Sequence, residues 1–481
     1  MGTVHETFHR DIRIKCMRRI IAKEMPKWPK LAWYAEWNKH DDSIRVFHGD
    51  AVEVREDRFF EGVWDGDFEK GEFQHAPAFC GSGVVLKGHD VVLVPTFVPN
   101  ERIYVTKNDQ CNHQCASNSL LCWLTQTGKS LDSDWPDYYA DLVEMVGKGH
   151  TDSLPEIRLA NEGVVGAVEL SPWVIGPEKS WRESPRKGPV FKPTFASYRT
   201  FLADTMRRLI ANAESPLRKT KVHSVTSLST GFDSVAVSAL AVECGVNKGF
   251  TILGREDARS IAKKLGLKLR SKHRALTCLF SRAKTQEFHL LPIGHNRPSG
   301  LFESTLTDGM LFTGGAGDYN WSLSPGFKGD FLVRSEIQTA LNGNSNSEFR
   351  LRVGCFFVAV PAIGQWHWPL TNEISNSAEM RLFRDVSSDK LNYSRPIPRR
   401  IGMEAGIERK DFGKRKVAGS IMVPSLFLGR SYFSFYRFLR RIEDVNKSSY
   451  PKTNPAFFQT SKYRWAIHWA HEALKDRYKI R

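Results

Sequence analysis

Residues 221–245 read KVHSVTSLSTGFDSVAVSALAVECG, and the fold is read from the six residues at their centre, Ser229-Thr230-Gly231-Phe232-Asp233-Ser234. The β-branched run from Val222 to Leu228 leads in. The small and aliphatic run from Val235 to Val242 leads out to Cys244-Gly245, where glycine accepts the left-handed conformation of a helix stop. That is strand, hydroxyl-and-glycine turn, helix. Such a turn gathers backbone N–H groups at a helix N-terminus, which attracts an anion. Hydroxyls, a glycine and an aspartate suit a polyphosphate with Mg²⁺ better than a bare anion. The expected ligand is the pyrophosphate part of ATP.

The neighbouring stretches repeat the pattern. Gly249-Phe250-Thr251-Ile252-Leu253-Gly254 reads as a second buried strand, and 257–265 as a helix with Asp257 near its start and Gly266 at its end. Two β–α units in succession predict an α/β domain with a doubly wound parallel sheet, whose ligands sit at the carboxyl ends of the strands. Upstream, Tyr198, Phe201, Leu202, Met206, Leu209 and Ile210 recur at helical spacing and predict a helix over Phe195 to Ala213. Downstream, Leu311-Phe312-Thr313-Gly314-Gly315-Ala316-Gly317-Asp318-Tyr319 ends an apolar strand in a glycine-rich turn with an acid. It reads as a second loop facing phosphate or Mg²⁺, with Asp233 and Asp318 as the two carboxylates.

The first half of the chain has a different texture. Residues 10–38 carry a basic amphipathic pattern broken at Pro26 and Pro29, which predicts a short docking helix. From 44 to 107 the pattern is short alternating strands: a hairpin about Lys87-Gly88-His89-Asp90, then a strand in RIYVTKNDQ. Ser117 to Thr127 reads as an apolar helix. This half is predicted to be an α+β domain with antiparallel sheets. Residues 171–194, with five prolines, read as a linker. The division expected is 1–175 for the α+β domain, 195–425 for the nucleotide domain and 426–481 for a basic helical extension. WAIHWAHEALKDRYKI reads as a helix with an aromatic, core-packing face. No internal repeat is visible.

Composition bounds the function. The 481 residues carry a net charge of +16, unevenly placed: residues 1–200 hold 25 Lys and Arg against 29 Asp and Glu, and the rest hold 44 against 24. A basic second half fits an anionic substrate or partner, either an acidic protein or RNA. No apolar run is long enough for a bilayer, and MGTVHETFHRDIRIKC has no apolar signal core. Eight scattered cysteines make no disulfide framework, so the expected setting is the cytoplasm, without a membrane. Cys111, His113, Cys115 and Cys122 match no zinc-finger spacing and read as ordinary buried thiols.

The two loops, their order and the helix before the first resemble the ATP-binding domain of the asparagine synthetases. These are PP-loop ATP pyrophosphatases, related to β-lactam synthetase and the lasso-peptide cyclases. The resemblance covers roughly 195–420, and the N-terminal half more loosely. It implies an AMP-forming carbon–nitrogen ligase: a small-molecule or peptide carboxylate is adenylated by ATP with Mg²⁺ and then captured by an amine. It further implies that Ser229, Thr230, Gly231 and Ser234 hold pyrophosphate with Gly314 and Gly315 opposite. Asp233 and Asp318 then hold the metal, and Leu253 and Gly254 line the adenine side. A late lysine stabilises the intermediate in this family. Lys414 and Lys416 are the catalytic candidates here, with Arg399 and Arg400 as further cations.

Several positions depart from the family pattern. Thr230 replaces a glycine of S-G-G-x-D-S. Against G-E-G-x-D-E, Gly315 and Tyr319 replace acids and Ala316 replaces a glycine. Glu348 and Glu379 are then the alternative general bases. Glutamine-dependent members carry a cysteine at position 2, where this chain has Gly2, and neither Cys16 nor Cys80 can take its place. The resemblance therefore implies a degenerate amidotransferase-like domain without glutaminase activity. Glu287, His289 and His295 read as a polar loop on the substrate side. Two other readings stay open: a PP-loop enzyme that modifies tRNA or a nucleobase, and a non-catalytic ATP-binding scaffold.

Overall fold

The computed structural model describes residues 18–38, 41–97, 101–106, 112–138, 141, 155–161, 163–176, 181–186, 188, 191–253, 257–273, 288, 295–296, 298–323, 347–364, 368–384, 394–413, 421–422, 430–445 and 465–480. The first half runs β1 (Arg19–Glu24), β2 (Trp33–Asn38), β3 (Ser43–His48), β4 (Glu53–Val54), β5 (Arg58–Trp64), β6 (Phe79–Lys87), β7 (Asp90–Val94), β8 (Ile103–Thr106), β9 (His113–Ser117), α1 (Leu120–Thr127), β10 (Glu156–Arg158), β11 (Val164–Val168), β12 (Trp173–Ile175) and β13 (Trp181–Glu183). These strands form two sheets, ordered β1-β3-β2-β9-β8-β11-β10 and β13-β12-β7-β6-β5-β4. Pairing is antiparallel except at the edge, where β1 runs parallel to β3.

Alternation along the strands separates the layers. Phe59 belongs to the core with Trp33, Ile44, Val84, Leu93 and Val105, while its neighbour Phe60 joins an aromatic cluster of Trp64, Phe68, Phe73 and Phe79. The hairpin about Gly88 and His89 forms as expected, with Lys87 opposite Asp90. The strand from RIYVTKNDQ, β8, lies in the other sheet, between β9 and β11.

The second half contains α2 (Phe195–Ala213), β14 (His223–Ser227), α3 (Phe232–Glu243), β15 (Lys248–Leu253), α4 (Arg259–Leu265), β16 (Lys268–His273), β17 (His295–Asn296), α5 (Pro298–Leu301), α6 (Glu303–Leu306), β18 (Gly309–Thr313), α7 (Gly317–Asn320), α8 (Ser347–Val353), β19 (Phe356–Ala359), α9 (Trp368–Asn376), α10 (Pro396–Glu404), β20 (Ile421–Met422), α11 (Arg430–Val445) and α12 (Ala466–Leu474). Five of these strands make a sheet of order β16-β15-β14-β18-β19, parallel at every pairing. The winding steps outward from β14 through β15 to β16, then restarts on the other side with β18 and β19. The reversal falls between β14 and β18, and a crevice opens at such a point beyond the strand ends.

Two expectations are corrected. Residues 19–24 and 33–38 are strands, not a docking helix; Ile20 and Ile21 are β-branched, and pairing with β3 outweighs the amphipathic pattern. The expected linker, 171–194, contributes two strands to the sheet, since β12 pairs with β7 and β13 with β12. Arg186 then fastens it, donating from buried nitrogens to the carbonyls of Leu170, Ala76 and Pro95. The C-terminal helix α12 packs its aromatic face on the core, as expected. Trp469 and Tyr478 are buried in the same core cluster as Trp28, Trp123, Tyr198 and Phe312. Other boundaries shift slightly. Helix α1 starts at Leu120 because Ser117 closes β9 and Ser119 caps the helix, accepting from Cys122 N at 3.0 Å. Helix α2 runs over the expected residues, capped by Thr194. No helix among the described residues is long and apolar enough to cross a membrane.

Candidate functional site

Strand β14 occupies the centre of the parallel sheet. Thr226 Oγ1 lies 3.1 Å from Ser238 Oγ of α3 and donates to Phe312 O of β18 at 3.3 Å. These contacts set the angle at which α3 leaves the strand. Between them the first loop is tightly bonded to itself. Ser229 N donates to Ser234 Oγ (3.1 Å), the two hydroxyl oxygens are 2.7 Å apart, and Gly231 N donates to Ser229 Oγ (3.2 Å). Ser229 is exposed and Asp233 and Ser234 are half-buried. Thr230, expected as a phosphate contact, is 6% exposed. Its carbonyl accepts from Gly413 N at 2.9 Å.

Gly231 caps α3 in extended conformation, φ −71° and ψ 145°. Among the described residues, a Cβ there would meet only Ser229 Oγ, at 3.4 Å. The packing of the described residues therefore does not require this glycine. Open space over a helix N-terminus does fit a group that approaches the backbone closely.

The second loop follows β18 and rests on the first. A Cβ on Gly314 would lie 2.8 Å from Asp233 C and 2.9 Å from Ser234 N; one on Gly317 would lie 2.4 Å from Asp233 Cγ and 2.8 Å from Oδ2. Both glycines are required by this approach. Gly315 N donates to Thr313 Oγ1 at 3.0 Å, and the turn closes with Gly317 N on Gly314 O at 3.1 Å. Ala316 adopts φ +65°. Asp318 follows Gly317 within α7; its side chain lies outside the described residues. The sheet thus brings Ser229, Gly231, Asp233 and Ser234 together with Gly314, Gly315 and the backbone of Asp318.

The remaining expectations divide. Leu253 ends β15, on the other side of β14, and is half-buried; Gly254 lies outside the described residues. Lys414 and Lys416 lie outside them too, as do Cys16, Cys111, Glu287 and His289. The structure separates the two arginines. Arg399 holds its guanidinium 4.8 Å from the Phe232 ring, inside the motif. Arg400 instead pairs with Glu379 and Glu404 and covers Phe195, at the start of α2.

The alternative bases have other partners. Glu379 accepts from Phe195 N at 3.0 Å, and this bond, with Arg400, holds its carboxyl below the usual range. Glu348 is buried, accepts from Ser119 Oγ and Tyr478 OH, and is pushed up by that burial. Cys115 and Cys122 are buried thiols, both pushed up by burial.

Phe232, Phe412, Gly413 and Lys264 were not singled out in the sequence. Phe232 had a signal, an apolar residue within a polar turn; its ring lies 4.9 Å from that of Phe412. Among the described residues no group of three or more His, Cys, Asp and Glu side chains converges. A divalent ion here would be of the kind held by one or two carboxylates and completed by phosphate oxygens. No family model matches the chain, and no curated protein matches it.

Proposed function

We propose that the protein is an ATP-dependent, AMP-forming amide ligase of the asparagine synthetase type, coupling a carboxylate to an amine without hydrolysing glutamine. The observation that carries this reading is the seating of Gly314 and Gly317 on Asp233, which joins two strand-end loops at the reversal of a parallel sheet. In this reading Ser229, Gly231 and Ser234 hold the pyrophosphate, and Thr230 shapes the backbone between them. Gly314 and Gly315 close the opposite side, and Leu253 and Gly254 border the adenine. Asp233, with Asp318, would hold Mg²⁺, which supplies charge neutralisation at the departing pyrophosphate. Lys414, Lys416 and Arg399 are the cations of the site.

A substrate carboxylate oxygen bonds to the α-phosphorus as the bond to pyrophosphate breaks; the amine then bonds to the acyl carbon and AMP leaves. In this reading the first-half sheets correspond to a degenerate amidotransferase-like domain. Cys80, Cys115, Cys122 and Cys355 are buried, Cys244 is half-buried, and burial pushes all five up, Cys115 and Cys244 to about 11.

Protein given Mg·ATP with pools of carboxylates and amines is expected to release AMP and pyrophosphate rather than ADP and phosphate. Asp233→Ala is expected to lower that release roughly 100-fold or more. Equal release by the variant overturns the assignment, and ATP binding without turnover in every pool identifies a scaffold instead. A second reading, modification of tRNA or a nucleobase, is favoured by Arg437, Arg440 and Arg441, exposed on α11. It expects RNA binding that weakens steeply as salt rises.

A further inference from the structure

The segment Glu408–Gly413 reaches the first loop from far along the chain and is held at three points. Lys264 Nζ, on α4, lies 2.6 Å from Asp411 Oδ2 and 3.2 Å from Glu408 Oε1. Asp411 Oδ2 also accepts from Glu408 N at 2.9 Å, closing a reciprocal cap on the 3-10 turn Arg409–Asp411. Phe412, 5% exposed, lies against Phe232, and it fits because residue 402 is glycine: a Cβ there would be 2.9 Å from Phe412 Cζ. Gly413 N then donates to Thr230 O at 2.9 Å.

The third contact bears on the ligand-facing groups. Thr230 C=O and Gly231 N–H belong to one planar peptide unit. Gly413 holds its oxygen, while its N–H donates to Ser229 Oγ, 2.7 Å from Ser234 Oγ. Fixing the plane therefore aims the exposed Ser229 hydroxyl. Fixed dipoles are what a charged ligand needs, because they do not have to reorganise when it binds.

We propose that Glu408–Gly413 is a strap that sets the orientation of the Thr230–Gly231 peptide, with Phe412 and Lys264 as positioning residues for the anion held by the loop. The anion's identity as pyrophosphate rests on the function proposed above; the strap does not.

The test therefore has two readouts on the full chain: hydrogen exchange of the 229–234 amides in the protein alone, and calorimetric binding of inorganic pyrophosphate with Mg²⁺. Phe412→Ala is expected to speed exchange within the loop and weaken pyrophosphate binding about tenfold. Lys264→Gln, the milder change, is expected to act in the same direction by about threefold, with Lys264→Arg restoring both readouts. Lys263→Gln, on the same helix, should change neither. Loop exchange left at the wild-type rate in both variants overturns the strap. So does exchange that rises evenly over the whole chain, which would show general destabilisation. Faster loop exchange in a protein that never binds pyrophosphate would uphold the strap and overturn the ligand assignment.

Discussion

A methyl group added to Gly231 would find Ser229 Oγ at 3.4 Å, whereas one added to Gly317 would lie 2.4 Å from Asp233 Cγ. The first position has room and the second has none. Gly231→Ala is therefore expected to unfold in urea within about 1 kcal/mol of wild type, the usual cost of alanine at an N-cap, yet to lose affinity for pyrophosphate. Gly317→Ala is expected to push the loops apart and cost about 1–3 kcal/mol, as overpacking does. Equal losses of stability in the two variants would show that the space over Gly231 has no ligand to serve. Ala316 bears on the same contact: its left-handed φ of +65° strains a non-glycine residue, and the residues on either side of it are glycines.

At the scale of elements, α8 joins the two halves. Arg350 Nη1 and Nη2 each lie 2.7 Å from a Glu61 oxygen of β5, and its Nε lies 2.5 Å from Glu101 Oε2; Arg350 and Glu61 are buried and Glu101 is half-buried. One guanidinium faces two carboxylates. Burial, opposed by Arg350 and reinforced by Glu61, pushes Glu101 up to about 7. A carboxyl raised on folding stabilises fully below its unfolded pKa, and that contribution is lost as pH rises through the folded value. Stability is thus expected to fall by about 3 kcal/mol between pH 4.5 and 8 through this group, and Glu101→Gln should flatten that slope. Urea titrations of both proteins at pH 5 and pH 8 decide it; parallel slopes would show that Glu101 is ionised throughout.

For the whole molecule, the junction predicts that the halves unfold together. Leu31 N donates to Leu351 O, Lys30 pairs with Asp308, and Asn212 of α2 bonds to Trp64 N and Gly66 O of the first half. Tyr478 adds the C-terminus by donating to Glu348, which also accepts from Ser119 at the cap of α1. Arg350→Ala would leave the buried Glu61 and the half-buried Glu101 without their cation and is expected to cost about 3–5 kcal/mol. Fluorescence and far-ultraviolet circular dichroism should still report one shared transition. Two separated transitions in the wild type would mean that the halves are independent domains.

Local order was legible where short-range forces decide. The helix over Phe195 to Ala213, the turn at Gly231, the Gly88 hairpin and the parallel sheet follow from periodicity, caps and glycine placement, all encoded within a few residues. Residues 19–24 were misread because this edge strand is exposed along nearly its whole length, so no alternation of buried and exposed residues marks it as a strand until its partner is known. The prolines of 171–194 suggested a linker, but Arg186 and the pairing of β12 with β7 hold that stretch in the sheet.

The sequence by itself determined the residue types of the two loops and the order of strand, turn and helix that presents them, because residue type and spacing carry that information. Only the tertiary structure decided that Gly314 and Gly317 seat on Asp233, that Arg399 faces the loop while Arg400 does not, and that Gly413 holds the Thr230 carbonyl. Those contacts join residues roughly 80 to 180 positions apart, and their geometry depends on which strands are neighbours.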